Sequence, residues 1–255
     1  MGKNKLKKFA DMERFGCVFQ YPQSVINDEG GCPLRGRWHE EVFGNDHPIV
    51  LELGCGKGEY AVGMGKSDPE ANFIGIDIKG ARMWTGARQV DEEGISNVRF
   101  LRTSIHLLPE FFAPGEIDSI WITFPDPQMK KVNKRLTGTH FLDIYRRVAP
   151  AGAMIHLKTD SPFLYTYTLA MARHNGLDIV AATPDLYASV WADRVPRITT
   201  YYEQQWLGRG IPSKYIAFRL PDVGAVLSEP EIEIEPDTYR SFGRGTTEFL
   251  ANIEK

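Results

Sequence analysis

The chain has 255 residues, of which 42% are hydrophobic and 25% charged, and its net charge is −3. This length allows a sizeable core in one α/β domain or two small ones, and the charge excludes a uniformly basic nucleic-acid coat. The three cysteines form no CxxC pair and the histidines show no ligand spacing, so neither disulfides nor a metal site are predicted. No apolar run is long enough for a membrane span, and the start lacks a signal peptide's apolar segment. We therefore expect a cytoplasmic protein without membrane association or bound metal.

The two ends of the chain differ in charge from its middle. Residues 1–40 begin with the basic run MGKNKLKKFADMER, and residues 221–255 contain the acidic run SEPEIEIEPD. Both ends are expected to lie outside the main core as solvated segments. The basic end has the alternative role of an arm that contacts phosphate, whereas the acidic end has no assigned role. Residues 41–220 remain as one main domain.

The middle of the chain alternates short apolar runs with segments that can form helices. Helical patterns such as KGARMWTGARQVDEEG separate the runs, which are Ile49–Leu53, Asn72–Ile78, Asn97–Thr103, Ile117–Thr123 and Ala153–Thr159. This rhythm predicts an α/β fold with a doubly wound, mostly parallel sheet. Two later runs, Leu177–Ala182 and Ser213–Leu220, are separated by an aromatic-rich stretch in which we predict no regular helix. They favour a terminal antiparallel pair with a long functional insertion.

A glycine-rich stretch, LELGCGKGEY, follows the first predicted strand. Gly54, Gly56 and Gly58 allow the backbone to approach a ligand closely. A dinucleotide site requires glycine where this chain has Glu59, and Glu52 would repel a pyrophosphate. A carboxylate at Glu52 instead suits the ammonium group of S-adenosylmethionine (SAM), which carries no phosphate. The stretch resembles the loop of SAM-dependent methyltransferases.

Acidic and hydroxyl side chains follow the next two strands. Asp77 ends the second strand about twenty residues after the glycines, where a carboxylate can accept hydrogen bonds from both ribose hydroxyls. The alternative role for Asp77 is an N-cap of the following helix. Ser104 or Thr103 ends the third strand, where a hydroxyl can accept a hydrogen bond from the adenine amine.

The stretch WITFPDPQMKK ends the fourth predicted strand, at the rim where doubly wound sheets bind ligands. The two prolines restrict the residue between them, so Asp126 is expected to face the methyl donor rigidly. Four cations follow, a density that suits phosphate contacts: Lys130, Lys131, Lys134 and Arg135. The alternative is a strand-to-helix turn with solvated lysines.

The motifs FPDPQMKK, LKTDSPFLY and TTYYEQQ, in this order and spacing, resemble those of the bacterial tRNA (guanine-N7-)-methyltransferases. The resemblance extends from Lys3 to Leu220 and implies a Rossmann-like class I SAM-dependent fold, with tRNA as the substrate and its variable loop as the target. It also implies that Glu52, Asp77, Ser104 and Asp126 contact SAM or border the reacting centre. The implied contacts to guanosine or RNA are Lys130, Asp160, Thr200, Tyr201, Tyr202 and Glu203. Two residues depart from the usual pattern, Gln128 in place of Trp and Ser104 in place of Asp.

The implied chemistry needs no general base, because guanine N7 carries a lone pair and no proton. The enzyme must align N7 with the methyl group and stabilise the charge that develops on the ring. Asp126 is the predicted catalytic residue, while Asp160 and Glu203 can accept hydrogen bonds from the same guanine. Asp160 can also cap the helix that begins at SPFLY. A methyltransferase acting on a small molecule and an RNA-binding module without turnover remain alternatives. No obligate protein partner is inferred.

Overall fold

The computed structural model describes residue 8 and residues 10–27 and 31–239. An eight-stranded sheet in the order β1-β4-β3-β2-β5-β6-β8-β7 forms its centre. The strands are β1 Val18–Phe19, β2 Ile49–Leu53, β3 Asn72–Asp77, β4 Val98–Arg102, β5 Ser119–Thr123, β6 Met154–Thr159, β7 Ile179–Thr183 and β8 Lys214–Arg219. All pairs are parallel except those of β8, which runs antiparallel to β6 and β7.

Helices cover both faces of the sheet. The α-helices are α1 Gln23–Asn27, α2 Glu59–Ser67, α3 Gly80–Glu93, α4 Leu108–Phe111, α5 Thr139–Tyr145, α6 Pro162–His174 and α7 Tyr201–Leu207. A π-helix occupies Trp38–Phe43, and single 3₁₀ turns occupy Ile105–Leu107 and Val132–Lys134. None of the helices among the described residues has the length and apolar character needed to cross a bilayer.

Alternation along the buried strands separates two hydrophobic cores. Leu51 and Ile122 face α4, α5 and α6 on one side, while Phe100 and Trp121 face α2 and α3 on the other. Because every central strand is buried on both faces, the strands read as apolar runs rather than as an alternating pattern. The seven predicted strands are confirmed, with ends within two residues of the observed ones.

The predicted absence of a helix between the last two runs is wrong. Helix α7 lies between β7 and β8, and it begins at the TTYYEQQ motif. Thr200 is its N-cap and accepts a hydrogen bond from the Glu203 amide at 3.2 Å. The helix has only seven residues, too few to show a clear 3.6-residue period.

The expectation that both ends are solvated segments outside the core fails at particular described residues of each end. Near the start, Met12 is buried, Asp11 accepts a hydrogen bond from the Trp84 indole at 2.9 Å, and β1 extends the sheet beside β4. Most of the basic run, residues 1–7 and 9, lies outside the described residues. At the other end, residues 221–239 cross the surface without regular secondary structure and contact α5 and α6. We call residues 221–239 the strap.

Candidate active site

The carboxyl ends of five parallel strands meet at one edge of the sheet, and the predicted ligand-binding segments follow them. The strand order reverses between β2 and β5, which is where doubly wound sheets open a crevice. A cleft of about 350 Å³ lies at this edge. Its lining residues come from the segments that follow β2, β3, β4 and β5, from the first turn of α3 and from α5: Gly54, Asp77, Ile78, Lys79, Arg82, Thr103, Ser104, Ile105, His106, Gln128, Lys134 and Phe141.

The glycine loop adopts a backbone that favours glycine at three positions. Gly54, Gly56 and Gly58 have φ angles of 73°, 57° and 74°. A Cβ on Gly58 would lie 2.5 Å from the Phe100 ring, whereas a Cβ on Gly54 would meet no atom within 4 Å. Gly58 therefore serves close packing, and Gly54 leaves open space for a ligand at the cleft.

Asp77 connects the end of β3 to the glycine loop. Its Oδ2 accepts a hydrogen bond from the Gly56 amide at 3.0 Å, and its Oδ1 accepts one from the Lys79 amide at 2.8 Å. Lys79 is the N-cap of α3, and this helix start has no side-chain cap, so the alternative role of Asp77 as N-cap is wrong. Because Asp77 is half-buried and lines the cleft, its carboxylate is available to a ligand there.

Glu52 lies below the cleft rather than in its lining. Its side chain is buried, and it accepts hydrogen bonds from the Ala61 amide at 2.9 Å and from the Thr123 hydroxyl at 2.7 Å. Burial raises the pKa of this carboxyl to about 7, although both hydrogen bonds oppose the shift. Glu52 joins β2, β5 and the first turn of α2, and it thereby fixes both ends of the glycine loop. Its predicted contact with the SAM ammonium stays a prediction.

Thr103 and Ser104 both line the cleft, beside Ile105 and His106. Ser104 precedes a 3₁₀ turn, and its side chain makes no capping hydrogen bond to that turn. Both hydroxyls therefore lie at the strand end for which the adenine contact is predicted, and that contact stays a prediction.

The segment 124–128 carries Asp126 in a constrained loop at the end of β5. Phe124 and Gln128 have φ angles of 48° and 49°, a left-handed conformation that is uncommon for residues other than glycine. The exposed Asp126 accepts a hydrogen bond from the Gln128 amide at 3.0 Å, and the Phe124 amide donates to the Lys158 carbonyl at 2.8 Å. Backbone strain of this kind persists only where the surroundings impose it, and it is concentrated at functional sites.

The four predicted RNA-contacting cations divide into two groups. Lys130, Lys131 and Lys134 are at least partly exposed, and Lys134 also lines the cleft. Arg135 instead points inward, where its guanidinium donates to the Met129 carbonyl at 2.9 Å and lies 4.2 Å from the centre of the Tyr167 ring. The structure therefore places Arg135 as an anchor of the 124–131 loop, while three lysines form the accessible basic surface.

Asp160 follows β6 and is buried beneath the strap. Its Oδ2 accepts a hydrogen bond from the Tyr239 hydroxyl at 2.5 Å, and its backbone carbonyl accepts one from Lys214 Nζ at 3.1 Å. The N-cap of α6 is Ser161, whose hydroxyl accepts from the Leu164 amide, so the alternative role of Asp160 as the cap is wrong.

The segment Thr200–Glu203 meets the glycine loop at one end and the core at the other. The Tyr201 amide donates to Glu59 at 3.2 Å, and Lys57 Nζ lies 4.2 Å from the centre of the Tyr201 ring. The Tyr202 ring contacts the Tyr201 ring edge-on, with 5.7 Å between centroids. This helix start therefore lies beside the cofactor loop.

Glu203, at the inner end of that segment, is completely buried and forms an ion pair with Lys158 at 2.9 Å. Its Oε1 also accepts hydrogen bonds from Tyr187 and Ser213, both at 2.7 Å. Among the described residues, Oε2 of Glu203 has no hydrogen-bond partner. Burial lowers the pKa of the Lys158 ammonium, and the Glu203 charge opposes this shift.

Two residues at this edge were not predicted from the sequence. Lys158 lies within an apolar run, and a lysine in a strand that is buried on both faces signals a buried partner. Tyr239 is the first aromatic residue after Phe218, in a segment otherwise expected to be solvated. Its contacts arise from tertiary structure, and sequence periodicity gave no signal for them.

Comparisons with known proteins agree with this geometry. Residues 46–214 match a family model described as a putative methyltransferase. A tRNA (guanine-N(7)-)-methyltransferase of Porphyromonas gingivalis is 62% identical over 91% of this chain and 96% of its own length. One from Bacteroides thetaiotaomicron is 56% identical over 96% of each chain.

Solved structures support the fold alone. The 16S rRNA methyltransferase KamB aligns with a TM-score of 0.55 and 12% identity over 71% of this chain and 92% of its own. An antibiotic-related methyltransferase aligns with a TM-score of 0.52 and 18% identity over 71% and 90%. Together with the sheet order, these confirm the predicted Rossmann-like methyltransferase fold. On the strength of the family model and the relatives, the chain belongs to the bacterial tRNA (guanine-N7-)-methyltransferase family.

Proposed function

We propose that this protein transfers a methyl group from SAM to N7 of a guanosine in tRNA, and that the target is guanosine 46 of the variable loop, as the family resemblance implies. The observation that carries the proposal is the constrained loop at the end of β5. Gln128, at the end of this loop, and Lys134, in the 3₁₀ turn that follows, line the cleft, and the exposed Asp126 lies along the chain between β5 and Gln128. A rigid carboxylate and a basic surface thus adjoin the same cleft.

The residues of the cleft suit a nucleoside that carries no phosphate. Gly54 leaves room for close approach, and the Asp77 carboxylate lies at the end of β3, where ribose hydroxyls can donate to it. Ser104 and Thr103 offer hydroxyl acceptors for the adenine amine. Glu52 contributes by holding the glycine loop, and an ammonium group near it would favour its charged form and lower its raised pKa.

SAM supplies an electrophilic methyl group bound to a positively charged sulfur. The lone pair of guanine N7 forms the new bond as the bond between carbon and sulfur breaks, so the positive charge moves onto the guanine ring and no proton is transferred. Asp126 stabilises that developing charge, and either Asp126 or Asp160 can accept hydrogen bonds from the guanine N1–H and N2–H₂ groups. Adenine lacks this pair of donors, which makes the carboxylate a means of selecting the base.

The tRNA contact is assigned to the accessible lysines and to the start of α7. Lys130, Lys131 and Lys134 can pair with phosphates near the target. Tyr201 is 45% exposed and lies close to the glycine loop, so it can contact the ribose or stack on a base. The deep, narrow major groove of an RNA helix hides N7, so a target outside regular duplex is required.

The test is methylation of unmodified tRNA transcripts by the purified protein with methyl-labelled SAM, followed by identification of the labelled nucleoside. We expect N7-methylguanosine, and no label in a transcript whose guanosine 46 is replaced by adenosine. Label on another base would contradict the proposed reaction. Label that persists in the substituted transcript would retain the reaction and refute the position.

A further inference from the structure

The strap is attached to the same edge of the sheet as the candidate active site. Glu229 accepts hydrogen bonds from the Thr139 amide and hydroxyl, at 3.0 and 2.7 Å, and from the Tyr167 hydroxyl at 2.6 Å. Asp237 accepts one from the Phe163 amide at 3.0 Å and one from the Ser161 hydroxyl at 2.5 Å. The two carboxylates therefore stabilise the first turns of α5 and α6.

The strap brings Tyr239 between the loop after β6, helix α7 and the loop after β5 that carries Asp126. The buried Tyr239 donates its hydroxyl hydrogen to Asp160, and its ring meets Trp206 of α7 edge-on, with 5.2 Å between centroids and an 86° angle. Two residues earlier, the Asp237 amide lies 3.1 Å from the sulfur of Met129. Tyr239 thus links the loop after β6 to α7, next to the loop that carries Asp126.

The surroundings of Tyr239 have the chemistry of a guanine site. A guanine base requires a carboxylate that accepts its N–H donors and an aromatic side chain that contacts its ring. Asp160 and Trp206 supply these two contacts to Tyr239, whose planar ring and single O–H donor resemble part of a base. With Tyr239 in place, only 1% of Asp160 is exposed, so a base cannot reach the carboxylate.

We propose that the side chain of Tyr239 occupies the position of the target guanine and is displaced when tRNA binds. This inference rests on the proposed function, because it takes a guanosine in tRNA as the substrate. Displacement breaks the hydrogen bond to Asp160 and the ring contact with Trp206, while the hydrogen bonds of Glu229 remain. The closed form lowers the apparent affinity for tRNA in proportion to its population.

The test compares Tyr239→Ala, which empties the position, and Tyr239→Phe, which removes only the donor. We expect the KM for tRNA to fall about tenfold in Tyr239→Ala, the effect of removing a competing hydrogen bond to a charged group, and to fall less in Tyr239→Phe. SAM affinity should not change. Ile232→Ala, at an exposed position of the same strap, is the control and should leave KM unchanged.

Two further measurements separate displacement from a general loosening of the strap. The gain in tRNA affinity should vanish when the methylated guanosine is replaced by adenosine, and also when Tyr239→Ala is combined with Asp160→Asn. An unchanged or raised KM in folded Tyr239→Ala, or an equal gain with both transcripts, would overturn the inference. If the wild type formed no N7-methylguanosine, the proposed function itself would fail, which is a different result.

Discussion

The two sides of the candidate active site are built differently. The cofactor side uses the ends of β2, β3 and β4 and a loop of five residues. The backbone amides that donate to Glu52 and Asp77 belong to the glycine loop and to helix starts, and they lie less than 25 positions from these carboxylates. The acceptor side combines the loops after β5 and β6 with α7 and the strap. The strap's hydrogen bonds to the rest of the chain join residues more than 50 positions apart, such as Asp160 and Tyr239. A local pattern can therefore specify the first side, whereas the second depends on the completed fold.

The largest expected effect concerns the buried ion pair that holds the acceptor side. Lys158→Met leaves the Glu203 carboxylate buried without its cation, so we expect the free energy of unfolding to fall by about 3–5 kcal/mol. Chemical denaturation measures this value. The double variant Lys158→Met, Glu203→Leu removes both charges and should recover most of the loss. A loss below about 1 kcal/mol in the single variant would show that the pair does not stabilise this side.

The next effect tests Asp126 as the residue that stabilises the cationic product. Asp126→Asn keeps the size of the side chain but removes its charge, so we expect the single-turnover rate to fall on the order of 10²–10³-fold with SAM affinity unchanged. Since N7 has no proton to remove, the rate should not recover at high pH.

The matched control for Asp126 is Asp178→Asn. Asp178 precedes β7 at the opposite edge of the sheet and is exposed, so this variant should keep the wild-type rate. A rate for Asp126→Asn within about threefold of wild type, or one that rises steeply with pH, would remove Asp126 from this role.

The third effect is on the cofactor side, where the raised pKa of Glu52 makes the stability of the protein depend on pH. Its folded-state pKa of about 7 exceeds the ordinary value of 4.5, so the folded state holds the proton more tightly than the unfolded state. This contribution to stability is fully present below pH 4.5 and is lost as the pH rises to 7.

A glutamine at position 52 cannot ionise, so Glu52→Gln does not lose this stability as the pH rises. We therefore expect its free energy of unfolding, relative to wild type, to increase between about pH 5 and pH 8 by up to about 3 kcal/mol. Paired urea titrations across this range provide the measurement. A difference that does not vary with pH would mean that Glu52 is charged throughout, despite its burial.

The smallest effect concerns the accessible lysines of the acceptor side. Replacement of Lys130, Lys131 and Lys134 by alanine should weaken tRNA binding and reduce its salt dependence by about 0.9 log units for each phosphate that no longer pairs with a lysine. Binding measured at several salt concentrations gives this slope. The control is Lys66→Ala. Lys66 lies at the end of α2 and forms an ion pair with Glu93 of α3. An unchanged slope in the triple variant would make these lysines a solvated surface.

The amino-acid sequence by itself determined seven of the eight described strands, the glycine loop and the position of Asp77 at the cleft, because these depend on apolar runs, turns and short separations. It also placed FPDPQMKK at the rim, since a strand end fixes that location. Only the tertiary structure decided that Arg135 and Glu203 turn inward, that Glu52 lies below the cleft, and that the strap returns to the sheet. Each of these outcomes depends on partners elsewhere along the chain, such as Tyr167 for Arg135, Lys158 for Glu203 and Asp160 for Tyr239. An acidic segment reads as solvated until its carboxylates meet the exposed amides of helix starts, and no local pattern records where those helices will lie.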